Sequence, residues 1–420
     1  MIYNDSKYNA DWEEKPLNRL GEFSRGKSKH RPRNDKKLFV DGKYPFIQTG
    51  EIKAANLFIN SHSEMYNDFG LKQSRLWDNN TLCITIAANI AETALLGYPM
   101  CFPDSVVGFN AYPNESSELF MHYVFTYIKK SIQNSASGSI QDNINIDYLT
   151  ALNFRIPKKK YQDKIVAVLY ALDSKIEFNN RINAALEAMA KTLYDFWFVQ
   201  FDFPDKNGMP YKSSGGKMVW HAELKREIPE GWEVKSLNEL TEVSNEQVNP
   251  IAIPDKEYKH YSIPAFDACG SYKSEKGIDI LSNKFKIRKT DVLVSKLNPW
   301  FSRVIYATDE SDLISSTEFV VWREKNIGKK NYLFMIARDA SFVTYCTQSA
   351  AGTSNSHKRV TPKVMMKYRV VYNEQVAESF GIILGSTIKM YAKNQIETNN
   401  LSELRDWLLP MLMNGQVKVK

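Results

Sequence analysis

The second half of this chain repeats the plan of its first half at a spacing of about 215 to 220 residues. Residues 12–20 and 232–240 share the pattern Trp-Glu-x-Lys-x-Leu-Asn-x-Leu, and each copy runs through a strand-like region into a long helical segment. Such an internal repeat indicates two copies of one structural unit. A duplicated enzyme would carry its catalytic residues twice, whereas a duplicated binding unit predicts a target with two parts.

Length and composition limit the class of protein. At 420 residues the chain is too long for one ordinary core, since domains contain about 150 residues. The 55 basic and 48 acidic residues give a formal charge of +7, which is compatible with a polyanionic partner without requiring one. The four cysteines form no Cys-x-x-Cys pair, and neither a signal peptide nor a membrane-spanning apolar run is evident. We therefore expect a soluble protein of the reducing cytoplasm.

Two kinds of pattern alternate along the chain. Short apolar runs broken by turn residues predict sheet-rich domains over residues 1–157 and 232–372, and apolar residues at spacings of three and four predict one helix within the first domain at residues 119–132. Residues 158–200 and 373–415 instead carry apolar side chains in steps of three and four, which is typical of long coiled-coil helices. Residues 201–231, rich in Gly, Pro and Ser, are predicted to be an extended connector. The expected fold is α+β, with two sheet-rich domains separated by two long helices in a pseudo-twofold repeat.

The seam of each predicted helix is apolar at its ends and polar near its middle, where Asn179 and Asn183 occur in the first helix and Asn394 in the second. A buried Asn requires a partner that can form hydrogen bonds with it, so the pattern predicts a helix pair of defined register. The alternative is that each helix packs only on its own domain. The predicted seam of the second helix includes Val376, Phe380, Ile383, Thr387, Met390, Leu401, Leu404 and Leu408, and its glycines predict a less regular first part.

Enzyme-like patterns in the sequence are weak. Asp205, Glu223 and Lys225 fit the loose spacing of a metal-dependent nuclease, but they lie in the polar connector. Residues 298–300, Asn-Pro-Trp, resemble part of the Asn-Pro-Pro-aromatic motif of amino-methyltransferases but lack the second proline. The sequence contains no phosphate-binding loop and no histidine pair at zinc-binding spacing. We therefore expect a recognition module.

Polar and basic side chains gather at comparable places in the two copies. Residues 25–33 form a cationic loop whose side chains could neutralise phosphates. The loops at 138–144 and 352–360, and the turns near residues 89 and 296–303, carry donors that can pair with base edges. The candidate nucleic-acid contacts are Arg25, Lys27, Lys29, Arg31, Arg33, Asn89, Ser139, Gln141, Asn143, Lys296, Asn298, Arg303, Ser354, Asn355, Lys358 and Arg359.

Along nearly its whole length the chain resembles the specificity subunit of a type I restriction-modification system. The resemblance rests on the duplicated openings, the two Gly-Ser/Thr loops, and the segments at residues 196–204, 213–216, 404–410 and 414–415. The family implies two target-recognition domains that each recognise one half of a bipartite, asymmetric site in double-stranded DNA. It also implies that the two helices pair antiparallel and set the distance between the half-sites.

The resemblance further implies a division of labour among subunits. The specificity subunit would have no catalytic activity and bind no cofactor, whereas S-adenosylmethionine, ATP and Mg would belong to two methyltransferase subunits and to restriction-translocase subunits. The aromatic side chains of Phe196, Trp197, Phe198 and Phe201 would dock a methyltransferase subunit or cap the helix pair. Two alternatives stay open, namely a protein-protein scaffold that does not recognise DNA and a fused enzyme with a degenerate nuclease centre.

Overall fold

The structure is a computed structural model that describes residues 4–87, 89–137, 146–352 and 357–419. The chain divides into two compact units, one formed by residues 1–177 with 400–420 and the other by residues 178–399. Each unit therefore contains part of both long helices.

The first unit is built mainly from short strands. Its described elements are β1 (Glu13–Pro16), α1 (Leu17–Leu20), β2 (Gly21–Arg25), β3 (Tyr44–Phe46), α2 (Thr49–Ala54), β4 (Phe58–Ile59), β5 (Glu64–Tyr66), α3 (Asp68–Lys72), β6 (Leu76–Trp77), β7 (Leu82–Thr85), β8 (Thr93–Leu96), β9 (Met100–Cys101), β10 (Val106–Ala111), α4 (Glu118–Ser137), α5 (Ile146–Thr150), β11 (Asn153–Ile156) and the beginning of α6 (Lys159–Tyr194).

Two sheets form the body of this unit, and a third pairs its ends. The strand orders are β2-β10-β7-β8-β4 and β5-β3-β9-β6, while β1 pairs antiparallel with β11. Every side chain of β7 is buried, because the first sheet is covered by the second sheet on one face and by α4 on the other. The helix predicted near residues 119–132 is confirmed as α4.

The second unit repeats this architecture. Its described elements are β12 (Met218–His221), β13 (Arg226–Pro229), β14 (Glu233–Ser236), α7 (Leu237–Leu240), β15 (Glu242–Ser244), β16 (Gln247–Val248), β17 (Glu257–Tyr261), α8 (Ile263–Cys269), β18 (Lys273–Lys276), β19 (Lys284–Lys286), β20 (Asp291–Ser295), β21 (Val304–Tyr306), β22 (Leu313–Ser315), β23 (Phe319–Arg323), α9 (Ile327–Arg338), α10 (Ala340–Gln348), α11 (Pro362–Met365), β24 (Arg369–Tyr372) and most of α12 (Glu374–Met413).

The sheet topologies confirm the internal repeat. The order β15-β23-β20-β21 matches β2-β10-β7-β8, and β18-β17-β22-β19 matches β5-β3-β9-β6, including one parallel pair in each second sheet. The repeated sequence segments open the two copies in the same way, since β14 pairs antiparallel with β24 as β1 does with β11. The shared pattern also places a lysine beside a glutamate on the first strand of each copy. Lys15 pairs with Glu13 on β1, and Lys235 pairs with Glu233 on β14.

The two long helices pair antiparallel, as the resemblance implies. In the second unit the Asn183 side chain accepts a hydrogen bond from Asn394 Nδ2 at 3.1 Å, and Asn179 Nδ2 donates to Glu397 at 2.9 Å. In the first unit Arg405 donates to Asp173 at 2.9 Å. Positions that ascend along α6 thus meet positions that descend along α12. The buried asparagines restrict the helices to registers in which each amide finds a partner.

The predicted seam of the second helix is wrong at three positions. Ile383, Met390 and Leu404 are exposed, whereas Leu384 and Ile388 are buried in the core of the second unit. Asn394 of the same seam does meet Asn183. The helix is continuous through both of its glycines, and at Gly381 it packs so closely on α9 that a Cβ atom would overlap the carbonyl oxygen of Gly328.

The connector is also more ordered than predicted. Residues 218–229 form the hairpin β12-β13, and Phe201 and Phe203 are buried beside Trp232. This segment is therefore part of the core of the second unit, because its aromatic side chains bury apolar surface that an extended linker would leave in water.

We expect Gly381→Ala to lower the free energy of unfolding by roughly 2 kcal/mol or more, because its methyl group would overlap backbone atoms that cannot rotate away. Gly385→Ala is the matched control. Its Cβ would meet only the Asn331 side chain at 3.4 Å, so gained helix propensity should make it neutral or stabilising by up to about 1 kcal/mol. Urea unfolding of both variants measures the difference, and equal stabilities would contradict the close-packing explanation.

Candidate nucleic-acid interface

In the first unit, three segments leave the central sheet at the same end. Arg25, the last residue of β2, pairs with Val107, and Thr85, the last residue of β7, pairs with Val106 at the start of β10. The cationic loop after β2, the β7-β8 turn and the segment just before β10 therefore meet at one edge of the domain. Strand register explains how candidate contacts far apart in sequence come together.

The cationic loop contains two kinds of basic residue. Arg33 donates two hydrogen bonds to the Asp104 carboxylate at 2.8 and 3.0 Å, and Arg31 lies 4.0 Å from the same group. Arg25, Lys27 and Lys29 are exposed and form no ion pair within the described part of the chain. Asp104 therefore anchors the far end of the loop through the two arginines, while the first three cations stay available to a polyanion.

The β7-β8 turn carries the predicted residue Asn89. Its side-chain oxygen accepts a hydrogen bond from Lys53 in α2 at 3.3 Å, and its carbonyl accepts one from Thr85 Oγ1. Asn89 is half-buried. Its two hydrogen bonds fix the turn to both the strand β7 and the helix α2.

In the second unit, two predicted loops form one surface. The backbone N–H of Asn298 donates to the carbonyl of Lys358 at 2.8 Å, and the Asn298 side chain accepts from the Lys358 N–H at 3.0 Å. Lys296 accepts from the N–H of Val360 at 3.0 Å. The β20-β21 loop, residues 296–303, is thus joined to the segment 357–360.

Two arginines predicted to contact DNA are instead paired with carboxylates. The Arg303 side chain is 7% exposed and donates to both oxygens of Asp267 in α8, at 2.5 and 2.8 Å. Arg359 donates to both oxygens of Glu318 at 3.0 and 3.2 Å, and these bonds raise its pKa. The burial of Arg303 and its bonds to Asp267 suit a role in positioning the loop, and its direct contact with DNA stays a prediction.

The two units share this arrangement of anchors. Asp104 precedes β10 as Glu318 precedes the equivalent strand β23, and each binds arginine. Lys53 in α2 contacts the β7-β8 turn as Asp267 in the equivalent helix α8 contacts the β20-β21 loop. The sequence did not single out these acidic partners, because no spacing rule links them to the residues they bind.

Two lysines give a positive charge to the surface formed by the β20-β21 loop and residues 357–360. Within the described residues neither Lys296 nor Lys358 has a carboxylate partner, whereas Arg303 and Arg359 are neutralised by Asp267 and Glu318. The remaining positive charge is suited to phosphate oxygens.

Five predicted contacts lie outside the described residues, namely Ser139, Gln141, Asn143, Ser354 and Asn355. They remain predictions.

The aromatic segment that was expected to dock a methyltransferase subunit or to cap the helix pair is largely buried. Trp197, Phe198 and Phe201 are buried in the core of the second unit, and Phe196 packs against that core. The Phe198 ring lies 4.7 Å from that of Tyr332 and 5.0 Å from that of Phe380. The hydrophobic effect favours the burial of Trp197, Phe198 and Phe201 within the domain itself, whereas Phe196 is half-buried.

The nuclease-like pattern does not form a metal centre. Asp205 accepts hydrogen bonds from the backbone of Asn207 and Met209, and Glu223 forms an ion pair with Arg369. Across residues 4–87, 89–137, 146–352 and 357–419, no three His, Cys, Asp or Glu side chains are arranged to bind a metal. In the same ranges no helix is both long and apolar enough to cross a bilayer.

Comparison with known proteins identifies the class of this fold. Residues 9–188 match the family described as the type I restriction modification DNA specificity domain. The type I restriction enzyme MjaIX specificity subunit of Methanocaldococcus jannaschii is 22% identical over 99% of this chain and 95% of its own length. The HindI specificity subunit of Haemophilus influenzae is 26% identical over 72% of this chain and 75% of its own length.

A solved structure supports the same fold. The type I restriction-modification S subunit from M. genitalium aligns with a TM-score of 0.63 and 14% identity, covering 98% of this chain and 99% of that one. The duplicated sheet domains and the paired helices are thus a known architecture. The chain is thus similar to type I restriction-modification specificity subunits, in the family model over residues 9–188 and in the two relatives over most of its length.

We expect Arg303→Ala to lower the free energy of unfolding by roughly 1–3 kcal/mol, because it removes a buried two-point hydrogen bond. Arg359→Ala is the control, since its pair with Glu318 is largely exposed and should contribute less than about 1 kcal/mol. Hydrogen exchange should accelerate in residues 296–302 of the Arg303 variant only. Equal effects of the two substitutions would refute the positioning role.

Proposed function

We propose that this chain is the DNA-recognition and scaffold subunit of a cytoplasmic type I restriction-modification complex. Its two sheet domains would each recognise one half of a bipartite, asymmetric site in double-stranded DNA. It would position two methyltransferase subunits and the restriction-translocase subunits, to which S-adenosylmethionine, ATP and Mg belong. The chain itself would be non-catalytic and bind no cofactor.

One observation carries this proposal most strongly. The same sheet end bears the candidate contacts in both units, yet the side chains differ between the copies. A common scaffold with different loops is what an asymmetric two-part site requires, because each domain must present its own donors to different base edges. The relatives' names, which are those of specificity subunits, agree with this role.

Methylation mapping of the host genome tests the proposal directly. Modification-sensitive sequencing with and without the gene should reveal an adenine-methylated bipartite motif that disappears on deletion. Binding of the purified chain to DNA separates recognition from the alternative of a protein-protein scaffold. A scaffold would show no site-specific binding and no steep dependence on salt.

The exposed lysines of the cationic loop should contribute through phosphates. We expect the double variant Lys27→Ala/Lys29→Ala to weaken binding to specific and random DNA equally. The slope of log affinity against log salt should fall by about 0.9 for each lost phosphate contact. Lys206→Ala, an exposed lysine of the connector, is the control. An unchanged slope, or a loss confined to specific DNA, would contradict the assignment.

The paired helices should set the spacer between the half-sites. We expect insertion of one heptad into both helices, after residues 177 and 399, to keep the seam in register and lengthen each helix by about 10 Å. The methylated motif should then gain about three spacer base pairs, at about 3.4 Å per base pair. The same heptad inserted at Gly208, in an exposed turn with open space around it, is the control. An unchanged spacer in the helix variant would disprove that the paired helices set the distance between the half-sites.

A further inference from the structure

The tip of the β20-β21 loop has an unusual backbone. Residues 299–301 form a single 3-10 turn, and the residues on either side, Asn298 and Ser302, both adopt left-handed conformations with φ of 47° and 48°. Side chains other than glycine rarely adopt this region, because the Cβ atom approaches the backbone carbonyl. Strained backbone of this kind persists where the surrounding structure enforces it, and it clusters at functional sites.

The surroundings do enforce this turn. Pro299 is buried, and α10 packs against the turn. Asn298 is bonded to Lys358 through both its backbone and its side chain, and Arg303 joins the loop to α8 through Asp267 while also donating to the carbonyl of Leu297 at 3.3 Å. The loop is therefore a rigid platform whose conformation is set by contacts behind it.

The platform presents two aromatic side chains to solvent. Trp300 is 39% exposed and Phe301 is 58% exposed, with ring centroids 5.9 Å apart. The guanidinium of Arg303 lies 4.5 Å from the Phe301 ring and limits its freedom. Single exposed apolar side chains are common on protein surfaces. Two adjacent rings on a strained, anchored turn between unpaired lysines are a more specific arrangement.

We propose that Trp300 and Phe301 contact the nucleobases of the half-site recognised by the second unit, while Lys296 and Lys358 contact the flanking phosphates. This inference rests on the proposed function. The rings carry no charge with which to neutralise phosphate, but they can stack on bases or contact the methyl group of thymine. A rigid platform lowers the entropy lost on binding, since the rings are already in place.

The proposed contact of Trp300 and Phe301 would concern only the half-site that the second unit recognises. The equivalent β7-β8 turn of the first unit carries Asn89, Ile90 and Glu92, with no aromatic side chain among its described residues. The two halves of the site should therefore respond differently to removal of the rings.

The test is selection of preferred sequences from a pool of synthetic duplexes with a randomised core, using the purified full chain. Phe301→Ala and Trp300→Ala/Phe301→Ala should each lose about tenfold or more of the discrimination against single base changes at one or two positions in one half-site. The other half-site and the affinity for random duplex should change less than about twofold. Trp300→Phe keeps a ring and should retain most of the discrimination.

The control is Trp220→Ala, which removes another exposed aromatic ring, on the hairpin β12-β13. It should leave both half-sites unchanged. Unaltered discrimination by the double variant, or an equal loss on selected and random duplexes with unfolding still cooperative, would overturn the inference. A wild-type chain that selects no motif would overturn the proposed function itself, and this assignment with it.

Discussion

The pairing of the central strands is the constraint on which the recognition surface depends. The strands β7 and β20 are buried throughout, so their backbone groups must be satisfied by neighbouring strands. Antiparallel pairing with β10 and β23 then decides which strand ends, and so which loops, meet at one edge of the sheet. A shift of one residue would exchange the side chains that pack on the helix with those that pack on the second sheet, so the register is strongly determined. The candidate contacts are brought together by that register.

Carboxylates placed just before the equivalent strands refine this surface. Asp104 and Glu318 bind arginines that the sequence alone would count as free cations. Burial adds a second distinction, since the Arg303 side chain is buried against Asp267, whereas Lys296 and Lys358 are half-buried and have no carboxylate partner among the described residues. An arginine bound to a carboxylate has part of its charge neutralised and its donors occupied, so it contributes less to binding phosphate than a solvated lysine does. The positive charge left unpaired on this surface is therefore smaller than the count of basic residues suggests.

The paired helices and the repeat were largely predictable. Their periodicity comes from side chains that recur every three or four residues, and Asn183 and Asn394 do meet within the pair. The wrong positions in the second helix, such as Ile383, follow Gly381, whose contact with Gly328 is a tertiary close approach without a periodic signal. The aromatic segment 196–201 left two roles open for a similar reason. Its composition suits a docking surface and a core equally, and only packing against Tyr332 and Phe380 distinguishes them.

By itself the sequence determined the α+β class, the duplication, the two long helical segments and the loops that carry polar side chains, whereas the antiparallel pairing of the helices was implied only by the family resemblance. These features depend on local periodicity, turn composition and repetition, all of which are properties of neighbouring residues. The tertiary structure decided which basic residues are paired, where the connector packs, and that the ring pair Trp300 and Phe301 stays exposed on an anchored turn. Such distinctions depend on burial and on partners distant in sequence, which arise only when the strands and helices pack together.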